Sequence, residues 1–197
     1  MIYIDFDRTL FDTDAFLKDL EKILEKDNIS LQLFNEYKVK QHNGFNPYEI
    51  LDDLKKDYSF NQDIYNKIDN LIRNDYKYLY QDSIPFLSRL SKNHSLVLLT
   101  KGNELFQLKK IQACNILKYF NNIIVTNKHK GELNFYYDES IFIDDNPSEI
   151  ESILSKKPKL VIRIKREQAL YNDIEIKDKV VEVTSLEEIL NNNLLKD

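Results

Sequence analysis

Cysteine is nearly absent from this chain: Cys114 stands alone among 197 residues. No internal disulfide can form, so the sequence does not read as a cross-linked secreted scaffold and fits a cytoplasmic protein. Glycine occurs three times and proline four times, which leaves little sequence for flexible linkers. No apolar run approaches the length needed to cross a bilayer. The N-terminal apolar run meets Asp5 at once and has no basic flank, so it is not expected to be a secretory leader, and no membrane partner is expected. Positive charge is in deficit too. A net charge of −5 disfavours a nucleic-acid duplex as partner but leaves room for one basic pocket around a small anion. The oligomeric state is not readable from these features.

What is present suits one domain with an insertion. The hydrophobic share of 42% is enough to bury a core over this length. Residues 2–5 (IYID) read as a buried strand. From 13 to 82 there is no strand-like run. AFLKDLEKILEK repeats its apolar residues at helical spacing, Ser30 can cap a short helix through Tyr37, and Asn46, Pro47 and Glu49 make a helix start. A long helix is expected from Asn61 to about Tyr80. After Pro85 helices and strands alternate, with strands expected at 95–100, 122–126, 140–145, 159–164 and, at an edge, 179–184. A brief helical turn is expected at 131–136 and a closing helix at SLEEILNN. Strands separated by helices imply crossovers and hence a parallel sheet. The expected fold is α/β, a Rossmann-like parallel sheet flanked by helices, with residues 1–12 and 83–197 as core and 13–82 as an inserted helical cap.

Three strands end in chemistry: Asp5-Phe6-Asp7-Arg8-Thr9, Thr100-Lys101-Gly102-Asn103 and Asp144-Asp145-Asn146-Pro147. Ligands of open α/β sheets bind at the carboxyl ends of strands, so these four acids should meet in one cleft. Any one of them alone reads as a cap or turn former. Together they would repel one another, and a hard divalent cation is the simplest compensation.

These segments resemble the haloacid dehalogenase-like superfamily. DFDRT fits its first motif, SLVLLT its second, NKHKGEL offers Lys130 or Lys128 for the basic third motif, and IFIDDNPSE fits the fourth. The resemblance implies a Mg²⁺-dependent phosphatase acting on a small phosphorylated metabolite through an aspartyl-phosphate. Asp5 would be nucleophile and metal ligand. Asp7 would be the general acid and base, and would also hold metal through its backbone carbonyl. Asp145 would complete the metal site, with Asp144 as a ligand or as partner of the lysine. Thr100 and the backbone N–H groups of Lys101 and Gly102 would bind phosphoryl oxygens, although Lys101 also reads as a solvated side chain. Arg8 is a departure, since many members carry glycine there. Asp7 favours ester hydrolysis over dehalogenation, because an alkoxide leaving group needs a proton. A phosphotransferase or mutase on the same core is the alternative, or a non-catalytic phosphoacceptor or binding module. The segment KVKQHNGFNPYE, with Lys38, Lys40, His42, Asn43 and a bend at Gly44, is a candidate for substrate contact from the cap, and equally a solvated turn.

Overall fold

The short apolar run at the N-terminus becomes β1 (Ile2–Ile4), buried on both faces in the middle of a six-stranded sheet. This is a computed structural model; it describes every residue except 74, 168, 178, 179, 196 and 197. The other strands are β2 (Leu96–Lys101), β3 (Asn122–Thr126), β4 (Ile141–Asp144), β5 (Leu160–Ile164) and β6 (Val181–Val183). All pairings are parallel, in the order β3-β2-β1-β4-β5-β6. Continuous apolar strands such as LVLL are what a sheet covered on both faces demands. Alternate residues serve the two faces. Ile4, Leu98, Ile143 and Ile162 join the larger core, while Tyr3, Val97, Leu99, Phe142 and Val161 join a smaller one with Ile150 and Ile153.

Register decides where the site falls. Ile4 pairs with Leu98 on one side and with Ile143 on the other. Asp5 therefore leaves the sheet beside Asp144 and close to Thr100, at the point where the strand order reverses. Helices α5 (Ser83–Leu90), α6 (Glu104–Ala113), α7 (Pro147–Leu154) and α8 (Leu186–Asn191) flank the sheet (α1–α4 are described next). The expected edge strand begins at a residue outside the described set, and among its described residues the strand formed is Val181–Val183. The expected turn at 131–136 is instead two 3-10 turns, Lys130–Glu132 and Tyr137–Glu139.

Between β1 and α5 the chain is helical. The elements are α1 (Thr13–Lys26), α2 (Leu31–Lys38), α3 (Pro47–Leu54) and α4 (Ile64–Arg73). Asp12, Ser30 and Asn46 cap the first three through their side chains. The single helix expected from Asn61 to Tyr80 is a correction. The Asn61 side chain accepts from the Asp63 N–H at 2.9 Å, which makes a turn rather than a helix. At the other end a 3-10 turn, Asp75–Tyr78, follows α4. There the chain must rejoin the sheet domain, and its backbone pairs with the outgoing linker. Asp12 N–H donates to Tyr78 O at 2.7 Å and Tyr80 N–H to Leu10 O at 3.0 Å. Buried Arg166, just beyond β5, ties both linkers down. Its guanidinium reaches the Thr9 carbonyl and both Asp82 carboxylate oxygens, and lies 4.0 Å over the Tyr80 ring. No helix among the described residues is long and apolar enough to cross a membrane.

The helical insertion packs closely on the sheet domain. Phe106 of α6 touches Phe16 and Phe45 of the insertion, and one core cluster runs through both. The tightest approach is backbone to backbone. Gly44 has φ +86°, and a Cβ there would stand 2.7 Å from the Asn103 nitrogen and 2.9 Å from the Gly102 backbone. Beside it Asn103 Nδ2 donates to Glu49 Oε1 at 2.9 Å, and Asn46 Nδ2 reaches Glu49 Oε1 and Asn103 Oδ1. Gly44→Ala should combine left-handed strain with overpacking and destabilise this seam by about 1–3 kcal/mol. Limited proteolysis should then cut within 38–46 in the variant before wild type is cut.

Candidate active site

The ends of β1, β2 and β4, the 3-10 turn at Lys130 and the helices α1, α2, α6 and α7 line one cavity of about 270 Å³. Asp5 follows β1, and its N–H is fixed by the Ile143 carbonyl at 2.9 Å. Asp144 ends β4, Asp145 follows it, and one oxygen from each of Asp5, Asp144 and Asp145 lies within 4.8 Å of the others. All three are buried. Burial raises Asp5 to about 7, and Asp144 and Asp7 add to the rise against the pull of Lys130. Burial and then the charges of Asp5 and Asp144 push Asp145 well above the usual carboxylate range.

Lys130 is the cation among them. Its ammonium donates to Asp5 Oδ1 at 2.5 Å and to Asp144 Oδ2 at 2.6 Å. Burial lowers its pKa, but the Asp144 and Asp5 charges outweigh that and leave it raised. The sequence offered Lys130 and Lys128, and Lys130 enters the site while Lys128 is exposed. Local packing explains the choice. A Cβ on Gly131 would stand 2.1 Å from the Ser152 carbonyl, so the 3-10 turn lies hard against α7. The Lys130 N–H is also held by Glu149 Oε2 at 2.8 Å.

Asp7 belongs to a separate network. Thr13 Oγ1 and Lys110 Nζ donate to its Oδ1, each at 2.7 Å, and Gln107 Nε2 donates to its Oδ2 at 2.6 Å. Burial alone would raise Asp7, but the Lys110 charge and these hydrogen bonds hold it below the ordinary carboxylate value. Its carboxylate stands outside the group of three. Lys110 is itself buried, 5.1–5.3 Å over the rings of Phe11, Phe6 and Phe106. Lys110→Met would strand the Asp7 charge and should cost about 3 kcal/mol, read as a lower thermal midpoint. Lys110→Arg should recover part of it.

Thr100 is buried and accepts from Gln107 Nε2 at 2.8 Å, which leaves its own hydroxyl hydrogen free to donate into the cavity. Gly102 has φ +156°, but its N–H already donates to the Thr126 carbonyl at 2.9 Å. It is not a free oxyanion donor in this conformation. Lys101 is partly exposed, and its ammonium donates to Glu149 Oε1 at 2.8 Å rather than standing free in solvent. Arg8 adopts φ 58°, the left-handed conformation that glycine favours. It pairs with Asp14 at 2.7 Å and lies 5.4 Å over the Tyr171 ring at the cavity rim. Of the cap segment singled out in the sequence, Lys38 and Phe45 line the cavity, while Lys40, His42 and Asn43 are exposed.

Gln107, Lys110 and Thr13 were not anticipated. Asn103, Gln107 and Lys110 recur at helical spacing, so polar residues occupy the inward face of α6 where apolar ones belong. That stripe was the available signal.

The donor set suits a hard divalent cation such as Mg²⁺. It offers oxygen alone, from three converging carboxylates, and Asp145 Oδ2 is buried with no hydrogen-bond partner. An orphaned buried carboxylate oxygen is costly unless something is meant to meet it.

The family model described as haloacid dehalogenase-like hydrolase matches residues 2–162. Among solved structures, the HAD phosphatase from Thermococcus onnurineus is 18% identical, with a TM-score of 0.70 over 98% of this chain and 96% of that one. The L-2-haloacid dehalogenase from Xanthobacter autotrophicus is 12% identical, with a TM-score of 0.66 over 98% and 97%. A Bacillus subtilis protein described as a HAD-hydrolase, YfnB, bound to magnesium, is 17% identical, with a TM-score of 0.63 over 97% and 96%. A search of curated proteins returns no match.

Proposed function

Because the chain belongs to the haloacid dehalogenase-like hydrolases, we propose that it is a Mg²⁺-dependent phosphatase of a small phosphate monoester. The observation that carries this reading is the pair of separate acid networks. Asp5 sits with two further carboxylates in a cluster short of positive charge, and Asp7 lies in the same cavity on its own hydrogen bonds. A halide leaves without a proton, so a dehalogenase has no use for the second network. An alkoxide must be protonated as it leaves.

Asp5 attacks phosphorus and the P–O bond to the leaving group breaks, giving an aspartyl-phosphate. Asp7 is a carboxylate in the substrate-free protein, so it takes up a proton as the substrate binds, gives that proton to the leaving oxygen, and then takes one from the water that cleaves the acyl phosphate. Lys130 holds Asp5 and Asp144 in place and balances part of their charge. The Thr100 hydroxyl binds a phosphoryl oxygen. Asp5, Asp145 and Asp144 would hold Mg²⁺, together with the Asp7 carbonyl. When bound, the ion supplies positive charge to the phosphoryl oxygens and so offsets the repulsion between two anions.

Residues 13–82 act as a cap over the cavity, keeping water out and selecting the leaving group. A lone, buried Cys114 fits a cytoplasmic setting. The test is release of inorganic phosphate from aryl and short alkyl phosphates, with Mg²⁺ or with EDTA, beside chloride release from 2-chloropropionate. Phosphate release that needs Mg²⁺, with no chloride release, is expected. Chloride release without phosphate release would overturn the reading.

A further inference from the structure

Charge accounting inside the cavity singles out one residue. Five cations line it: Arg8, Lys38, Lys101, Lys110 and Lys130. Four of them are engaged by acids, namely Asp14, Glu149, Asp7, and Asp5 with Asp144. Lys38 has no carboxylate partner among the described residues. Its neighbour is an aromatic ring, with the ammonium 5.1 Å from the Phe45 centroid.

Its place in the cavity matters as much as its charge. The reacting carboxylates, Thr100 and Lys130 come from the sheet domain. Lys38 ends α2 and comes from the helical insertion, as do Phe16, Leu17 and Phe45, which with Phe106 make the apolar wall. A substrate with its phosphoryl group at Asp5 would therefore send its leaving group along apolar surface toward a single uncompensated ammonium. A lone ammonium beside apolar side chains gains most from one partly desolvated anion. One charge matches a carboxylate, whereas a phosphate dianion would leave a charge unbalanced. The small cavity limits the body between the two groups.

We propose, resting on the phosphatase reading above, that the substrate is a short phosphorylated carboxylic acid whose carboxylate pairs with Lys38, which makes Lys38 a specificity-determining residue. The test compares ω-phosphooxy carboxylates with ω-phosphooxy alcohols of matched length, on wild type and Lys38→Met, with Mg²⁺. Wild type should prefer the acid by roughly tenfold in kcat/KM at one chain length, and Lys38→Met should collapse that ratio. A ratio near one in wild type at every length, or a ratio unchanged in Lys38→Met, would overturn the proposal. Calorimetric binding of the corresponding phosphonates separates it from the phosphatase reading. Lys38-dependent preference in binding without any turnover would sink the phosphatase and keep the subsite. Turnover without Lys38-dependent preference would do the reverse.

Discussion

Asp5→Asn should reduce Mg²⁺-dependent phosphate release by on the order of 10⁴-fold or more while leaving the metal-free protein more stable than wild type at pH 8. The catalytic loss follows from chemistry: an amide cannot form the acyl phosphate on which the two-step route depends. The stability gain follows from burial. Asp5 has its pKa raised to about 7, chiefly by desolvation, and sits with Asp144 and Asp145. A carboxyl group whose folded pKa lies above its unfolded value contributes stability at low pH. That contribution is present below about pH 4 and is lost as pH rises through about 7. Asparagine has the same size and carries no such cost, and Lys130 keeps Asp144 as a partner. Thermal melting across this window should show wild type falling relative to the variant as pH increases. A variant that retains turnover, or a difference in melting that runs the other way with pH, would refute the assignment.

Lys130→Met should produce the largest loss of stability. Its ammonium is the one that touches Asp5 and Asp144 among the described residues, and it is 2% exposed. Removing one partner from a buried ionic cluster leaves uncompensated charge and costs about 3–5 kcal/mol. For a chain of this size that corresponds to roughly 10 °C in melting temperature. Mg²⁺ should restore much of this, because a divalent cation answers the same unpaired oxygens. The Mg²⁺-induced rise in melting temperature should therefore be larger in Lys130→Met than in wild type. It should be small in Asp145→Asn. Equal rises in all three proteins would show that the ion binds elsewhere.

The strand-tip acids were legible because each sits within a few residues of an apolar run. Parallel pairing carries such tips to one edge of the sheet without further information. Asp5, Thr100, Asp144 and Asp145 reached the cavity in that way. The preference for Lys130 over Lys128 rested only on its place directly before the turn GEL, and could not be firm, since what seats Lys130 is how closely Gly131 approaches Ser152 on another helix. The Asp7 network was hidden for a similar reason. Gln107 and Lys110 lie about a hundred residues from Asp7 in sequence, and only the packing of α6 brings them there. Arg166 was equally silent, although it fixes both linkers of the insertion. The long helix forecast from Asn61 to Tyr80 failed where backbone pairing between linkers overrode helical periodicity. The Gly102 N–H, expected to face substrate, is committed to Thr126.

The most direct measurement is a crystal structure of the protein grown with Mg²⁺ and beryllium trifluoride, a mimic of the acyl phosphate. The account predicts beryllium bonded to an Asp5 carboxylate oxygen, with the ion held by Asp5 and Asp145 beside it. A fluoroberyllate on another side chain, or an ion bound away from these two residues, would contradict it.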